Sequence, residues 1–298
     1  VNIKYDGIKD VIFYSGGDFE QQLRNVDESQ SSSGPVPTAT NNFSRDADIT
    51  TFDYTSTSGF RWYPIPKVDI TSEFKYRYGT WDFENNDNAR AGDVVNGYRG
   101  FIDGIFFRTY KPLVKLNFKP YKWIACNFLY TFDTTIYGVR TRVAPVTELN
   151  KYRANIYSTG VTLTPREYLY MTLFYQYKEA STRTQANGDG GQGFNVPTYN
   201  AGFKVLTASC GYSPVKDITL RGSYSISKAD NFNDFSNIGL PLGLTNFSQD
   251  ASLGLEKKIR SDCSVEFKYD FAQYGETSNG GIDDYEAHLF YTGLKMNF

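Results

Sequence analysis

The chain contains a single histidine, His288, and three cysteines, Cys126, Cys210 and Cys263. That inventory excludes most nucleophile and metal chemistry. A Ser-His-Asp hydrolase or a histidine-rich metal centre needs an imidazole facing a polar cleft. His288 shares its parity with Phe290 and Phe298, which places it on an apolar strand face. The cysteines lie far apart, form no CxxC or CxxCH pattern, and each sits in an apolar-alternating run, so zinc knuckles and covalent haem are excluded too. No enzymatic reaction, cofactor or resident metal is expected. The acidic clusters Asp82–Asn88 and Asp283-Asp284 lack EF-hand spacing and read as solvated loop charge, with Ca²⁺ binding or a divalent-ion bridge to a surface ligand as the alternative.

What remains is charge at every second position. Glu73, Lys75 and Arg77 alternate with apolar or aromatic residues, as do Lys111 and Lys115, Asp133, Arg221, and Glu266, Lys268 and Asp270. The segment Cys263–Phe271 shows the pattern in full. Cys263, Val265, Phe267, Tyr269 and Phe271 point one way; Ser264, Glu266, Lys268 and Asp270 point the other. A row of charges like this is costly in a packed soluble core and suits a wet surface. Its chemistry is electrostatic. Either acids and bases pair across neighbouring strands, or the Lys/Arg excess (Lys75, Arg77, Lys111, Lys115, Arg221) forms an electropositive stripe that guides an anionic solute.

The elements that must position these residues are long strands. The chain has 298 residues and a net charge of −2, so nothing in its charge balance points to nucleic acid. Mean hydropathy is only −0.47, yet 17% of the residues are aromatic. No run approaches the ~18 apolar residues of a membrane helix. Period-2 segments come in pairs around short turns at Tyr63–Lys67, Lys119–Lys122, Thr164–Glu167, Ser213–Asp217 and Lys257–Ser261. Long polar segments separate the pairs: Gly16 to about Thr50, Glu84–Gly100, Arg140–Lys151, Ser181–Asn200 and Ala229–Ser248. An N-terminal strand (about Asn2–Tyr14) and a C-terminal strand (about Asp284–Phe298) bring the expectation to twelve strands, with both termini at the short-turn end. The opening residues carry no apolar leader, so export would require one that has been removed or lies upstream. A soluble sandwich or propeller would need shorter strands and more even loops.

This pattern resembles the bacterial outer-membrane β-barrels, with their even strand numbers, short periplasmic turns, long extracellular loops and apolar-out, polar-in strands. The resemblance covers nearly the whole chain. It is strengthened by Phe290-Tyr-Thr-Gly-Leu-Lys-Met-Asn-Phe298, in which Phe298 ends an alternating strand. It implies an all-β, closed antiparallel up-and-down barrel of about twelve strands, forming one domain over residues 1–298 in the bacterial outer membrane. The implied partners are outer-membrane lipid and lipopolysaccharide, the barrel insertion machinery reading Phe298, and other outer-membrane proteins. Tyr76, Tyr78, Tyr130, Phe132, Tyr175, Tyr177, Tyr269 and Phe271 lie at the loop-side ends of outgoing strands and would form an aromatic girdle. Tyr63, Phe118 and Tyr212 would form a second one near the turns.

The YP or TP turns before aromatic-ended strands also resemble the barrels that house decahaem cytochromes. Those are much larger, and this chain has no haem-attachment motif. On the barrel reading, Glu73, Lys75, Arg77, Lys111, Lys115, Asp133, Arg221, Glu266, Lys268 and Asp270 line the lumen. The implied function is passive or mildly selective passage of small polar, including anionic, solutes. The alternative is a non-transporting barrel whose long loops bind a partner protein or surface ligand.

Overall fold

A computed structural model describes residues 2–30, 43–86, 102–141, 147–184, 197–236, 243–278 and 280–296. They form one sheet of thirteen strands in sequence order. The strands are β1 (Asn2–Ile8), β2 (Val11–Gln30), β3 (Phe43–Ile65), β4 (Val68–Asn86), β5 (Ile102–Tyr121), β6 (Ile124–Thr141), β7 (Thr147–Arg166), β8 (Leu169–Thr184), β9 (Tyr199–Val215), β10 (Ile218–Asp230), β11 (Thr245–Arg260), β12 (Cys263–Glu276) and β13 (Tyr285–Met296). Each pairs antiparallel with the next. From β2 onward every strand has at least the 12 residues of β13, more than the ~9–11 a tilted strand needs to cross a bilayer.

The count differs from the expected twelve because the N-terminal segment is a hairpin. The chain turns at Lys9-Asp10, where Asp10 takes φ 62°, a left-handed conformation that aspartate tolerates. β2 then runs on to Gln30, through residues expected to be loop. Its alternation is hard to read because Ser15-Gly16-Gly17 interrupts it and polar residues occupy both faces. The extension is held by side-chain bonds such as Asn25 Nδ2 to Asp48 Oδ1 at 3.0 Å. The N-terminus therefore lies away from the short-turn end, and β1 and β13 run in the same direction. Among the described residues the two are not hydrogen-bonded to each other. A direct junction would be parallel, unlike every other in the sheet.

The five expected short turns are present, tightened to two residues at Pro66-Lys67, Lys122-Trp123, Glu167-Tyr168, Lys216-Asp217 and Ser261-Asp262. The prolines at Pro64, Pro120, Pro165 and Pro214 sit just before these turns rather than in them. Each falls where the hairpin register slips by one residue, between Trp62 and Ile65, Phe118 and Tyr121, Leu163 and Arg166, and Tyr212 and Val215. Proline fits a bulge because the missing N–H leaves no ladder bond unmade. The residue before each proline turns its own N–H to the preceding hairpin. Tyr63 N donates to Asp10 O, Lys119 N to Lys67 O, Thr164 N to Trp123 O and Ser213 N to Tyr168 O, all at 2.8 Å. Lys258 N makes the same bond to Asp217 O without a proline. Adjacent hairpins are thus stitched together at the turn end.

Thr164→Pro removes one stitch, whereas Thr164→Val keeps the N–H. The proline variant is expected to lose about 1–3 kcal/mol, read as a lower urea midpoint in refolding into micelles, with the valine variant near the parent.

Candidate functional site

Directly opposite residues in an antiparallel sheet share a face, so the register carries side-chain orientation across all thirteen strands. Glu73, Lys75 and Arg77 on β4 lie on the same face as Lys111 and Lys115 on β5 and Asp133 on β6, through the pairs Lys75↔Lys111, Thr71↔Lys115 and Lys115↔Leu129. Onward through Asp133↔Ala154, Ala154↔Ala180, Ala180↔Ala201, Phe203↔Ala229, Arg221↔Gly254 and Gly254↔Lys268, that face reaches Arg221 on β10 and Glu266, Lys268 and Asp270 on β12. The structure thus brings every one of these residues to one face. The opposite face carries Tyr76, Tyr78, Tyr130, Phe132, Tyr175, Tyr177, Tyr269 and Phe271. Phe298 lies outside the described residues.

The two faces differ in burial as well as polarity. Thr71, Thr131, Thr135, Ala154, Ser158, Ala180, Ala229, Ser264 and Glu276 are buried, and all lie on the charged face. Most of these side chains are small. Large apolar residues on the other face stay exposed, among them Phe19, Leu173, Leu253 and Phe290. A curved sheet crowds side chains on its concave side and splays them on its convex side, so the charged face is the inner one. Phe106 is the buried exception on the outer face, where the Arg108 guanidinium lies 5.2 Å from its ring.

Most inner charges have partners. Arg77 Nε donates to both oxygens of Asp53 at 3.1 and 3.0 Å, and its guanidinium lies 4.9 Å from the Phe107 ring centre. Arg221 Nη2 is 3.2 Å from Glu256 Oε2. Lys268 Nζ is 2.8 Å from Asp270 Oδ2, and Lys111 Nζ is 4.0 Å from Asp133 Oδ2. The Tyr14 hydroxyl donates to Glu73 at 3.0 Å. Among the described residues, no ion pair is made by Lys75, Lys115 or Glu266. Cross-strand pairing therefore accounts for three members of the basic stripe and leaves Lys75 and Lys115 as its open charge. These pairs are half-exposed, and each is worth at most about 1 kcal/mol.

The outer face is built from rings. Tyr76 packs between Tyr54 and Tyr110, with ring centres 6.3 and 5.3 Å away. Tyr130 and Tyr177 flank Tyr157 at 5.0 and 6.3 Å. Tyr269 lies 5.0 Å from Phe290. Phe118 and Tyr212, near the turns, share this face. Tyr63 does not: it sits in the bulge and accepts a bond from inner-face Arg61 at 3.4 Å. His288 lies on the outer face, bonded through Nδ1 to the Tyr269 hydroxyl at 2.8 Å and through Nε2 to Glu286 at 3.1 Å.

Sequence reasoning put Tyr170 and Phe174 on the lumen face, where the register also places them, but it assigned most rings to the lipid side and so missed five others. Trp81, Phe107, Tyr137, Tyr152 and Tyr199 share the inner face. Parity with Arg77 would have found Trp81. It missed Asp53 and Tyr14 as partners because pairing them with Arg77 and Glu73 needs the β2–β3–β4 register.

No protein-family model matches this chain, and no curated protein matches it in sequence. Solved structures do match in fold. The copper transporter OprC is 9% identical, with a TM-score of 0.50 over 100% of this chain and 56% of that one. The ferric-catecholate import receptor Fiu from E. coli K12 is 6% identical, with a TM-score of 0.51 over 96% of this chain and 62% of that one. The translocator domain of the autotransporter NalP from Neisseria meningitidis is 10% identical, with a TM-score of 0.36 over 98% and 90%. This chain thus spans little more than half the length of OprC and of Fiu. Its fold is that of the outer-membrane β-barrels of Gram-negative bacteria.

A double-mutant cycle on Asp53→Asn and Arg77→Met tests the inner pairing. A coupling of roughly 0.5–1 kcal/mol in urea unfolding is expected; additive effects would show that the pair contributes nothing.

Proposed function

We propose that this chain forms the wall of an outer-membrane channel, with the charged concave face turned to the lumen and the ring-covered face turned to lipid. The carrying observation is the separation of the two faces across the whole sheet. In lipid a strand can expose apolar side chains only, while its backbone is satisfied by neighbours. Tyr76, Tyr130, Tyr177 and Tyr269 then stand at the headgroup level, where amphipathic rings are favoured. The short turns face the periplasm and the long loops the exterior. Glu73, Lys75, Arg77, Lys111, Lys115, Asp133, Arg221, Glu266, Lys268 and Asp270 line the passage. Its cargo is small polar solutes. OprC and Fiu are named as transporter and import receptor, which agrees with a transport role for the fold.

The selectivity reading narrows with the structure. Arg77, Lys111 and Arg221 are balanced by Asp53, Asp133 and Glu256. Lys75 stands directly opposite Lys111, an unfavourable like-charge pair unless an anion is shared. Lys75 and Lys115 therefore supply whatever anion preference the passage has. An inner face whose charges are so largely neutralised by their own ion pairs also supports the second role, a scaffold whose loops engage another outer-membrane protein.

In planar bilayers the protein is expected to show single-channel steps, and conductance no higher than that of protein-free lipid would sink the channel reading. Lys75→Gln with Lys115→Gln should move the reversal potential toward cation preference. An unchanged value would remove the anion-guiding role and leave passage unselective.

A further inference from the structure

The outer face carries cations as well as rings, and three of them gather toward the long loops. Lys151 and Arg153 on β7 share the face of Tyr157, and Arg183 on β8 shares the face of Tyr177. All three lie loopward of those rings. Lys151 stands directly opposite Arg183, and Arg153 is the next outward residue on β7. Sheet spacing puts the three Cα atoms within about 8 Å of one another. Arg153 and Arg183 are exposed and Lys151 is half-buried.

Among the described residues, none of the three makes an ion pair or a hydrogen bond. In β6 to β9, Glu179 is the only acid on this face with a described side chain. It stands opposite Asn155 and pairs with none of them. Arg108, Arg140 and Lys204, on the same face, are each engaged. Arg140 Nη2 is 2.8 Å from Asp82 Oδ1. Arg108 lies 5.2 and 5.8 Å from the ring centres of Phe106 and Tyr78, and Lys204 Nζ lies 5.6 Å from that of Tyr177. Like charges placed directly opposite are destabilising, so Lys151 and Arg183 call for an anion between them. Ser181, directly opposite Arg153, adds a hydroxyl to the cluster.

We propose that Lys151, Arg153 and Arg183 bind the phosphate headgroup of a lipid in the leaflet at the long-loop end. The site rests on the channel reading for the lipid that surrounds this face. A guanidinium fork takes two phosphate oxygens at once, and Lys151 adds a point charge beside Arg183. The long stems of all three lie along apolar surface and let the charged heads reach the depth of the phosphate. A free phosphate would gain the same charge contacts. A lipid also lays its chains on the wall below, where Tyr157, Leu173 and Tyr175 are exposed, and so binds more tightly.

The test uses the full chain in micelles, with dioleoylphosphatidate as the probe. Dioleoylphosphatidylcholine, whose phosphate carries its own cation, is the comparison. Native mass spectrometry is expected to find phosphatidate retained and phosphatidylcholine lost, with retention falling as salt rises. Lys151→Gln, Arg153→Gln and Arg183→Gln together should weaken phosphatidate binding by roughly tenfold or more. Ser181→Asp, which sets a carboxylate against Arg153, should weaken it as well, and Ser181→Thr should not. Equal retention of the two lipids, or phosphatidate binding indifferent to both charge-changing variants, would overturn the site. Displacement by an equal concentration of inorganic phosphate would make it a free-anion site and overturn the lipid assignment. Self-association that the triple variant abolishes, with no lipid preference, would give the patch to a second copy instead. Single-channel steps without a phosphatidate preference would remove the site and leave the channel; phosphatidate binding without steps would do the reverse.

Discussion

A strand in lipid can place its backbone N–H and C=O groups only on a neighbouring strand. Much else in this molecule follows from making twelve such pairings in succession. The ladder is continuous and antiparallel, and the hardest places to keep it so are the turns, where a hairpin narrows and the register must step. Here a single extra residue is accommodated before each short turn. In four of them an X-Pro pair occupies the bulge. Proline asks for no partner at the step, and the residue before it hands its N–H to the adjacent hairpin at 2.8 Å. One local dipeptide thus terminates one ladder and joins it to the next.

A continuous register has a second consequence. Side-chain parity cannot change along the sheet without a slip, and the slips lie mostly at the turns and strand ends. The two faces therefore stay separate from β1 to β13. Curvature then sorts residues by size. Small side chains are buried on the concave face and large apolar ones spread on the convex face. Glycines help where inner rings need room. Gly59 lies under Tyr14, where an added Cβ would sit 2.5 Å from the Ser72 carbonyl oxygen. Gly79 and Gly211 lie in the same way under Phe107 and Tyr170.

Charge on the inner face is held in short local pairs more than in one electropositive track. Arg77 takes Asp53 and leans on Phe107, and Arg221 takes Glu256. Such pairing reduces the field along the wall and leaves a few places where chemistry is unfinished. The lysine pair Lys75 and Lys111 is one. The buried oxygens Asp133 Oδ1 and Asn150 Oδ1, without a hydrogen-bond partner among the described residues, are the other.

Much of this was legible in the residues alone. Alternation in Cys263–Phe271 and Ile218–Ile226 set the faces, because a strand's side chains have a period of two whatever surrounds it. Turn positions were readable from proline, and low hydropathy in an aromatic-rich chain pointed to a sheet polar on one face and ring-covered on the other. The first hairpin was not legible. Its turn rests on Asp10 at positive φ, and β2 is polar on both faces, so no local signal separates strand from loop there. Nor could sequence find Asp53 as the partner of Arg77, or bring Ala154, Ala180 and Ala201 together. Those depend on the exact register between consecutive strands, which a one-residue bulge at a turn shifts. Local periodicity determines which way a side chain points, and only the pairing of strands decides what it meets.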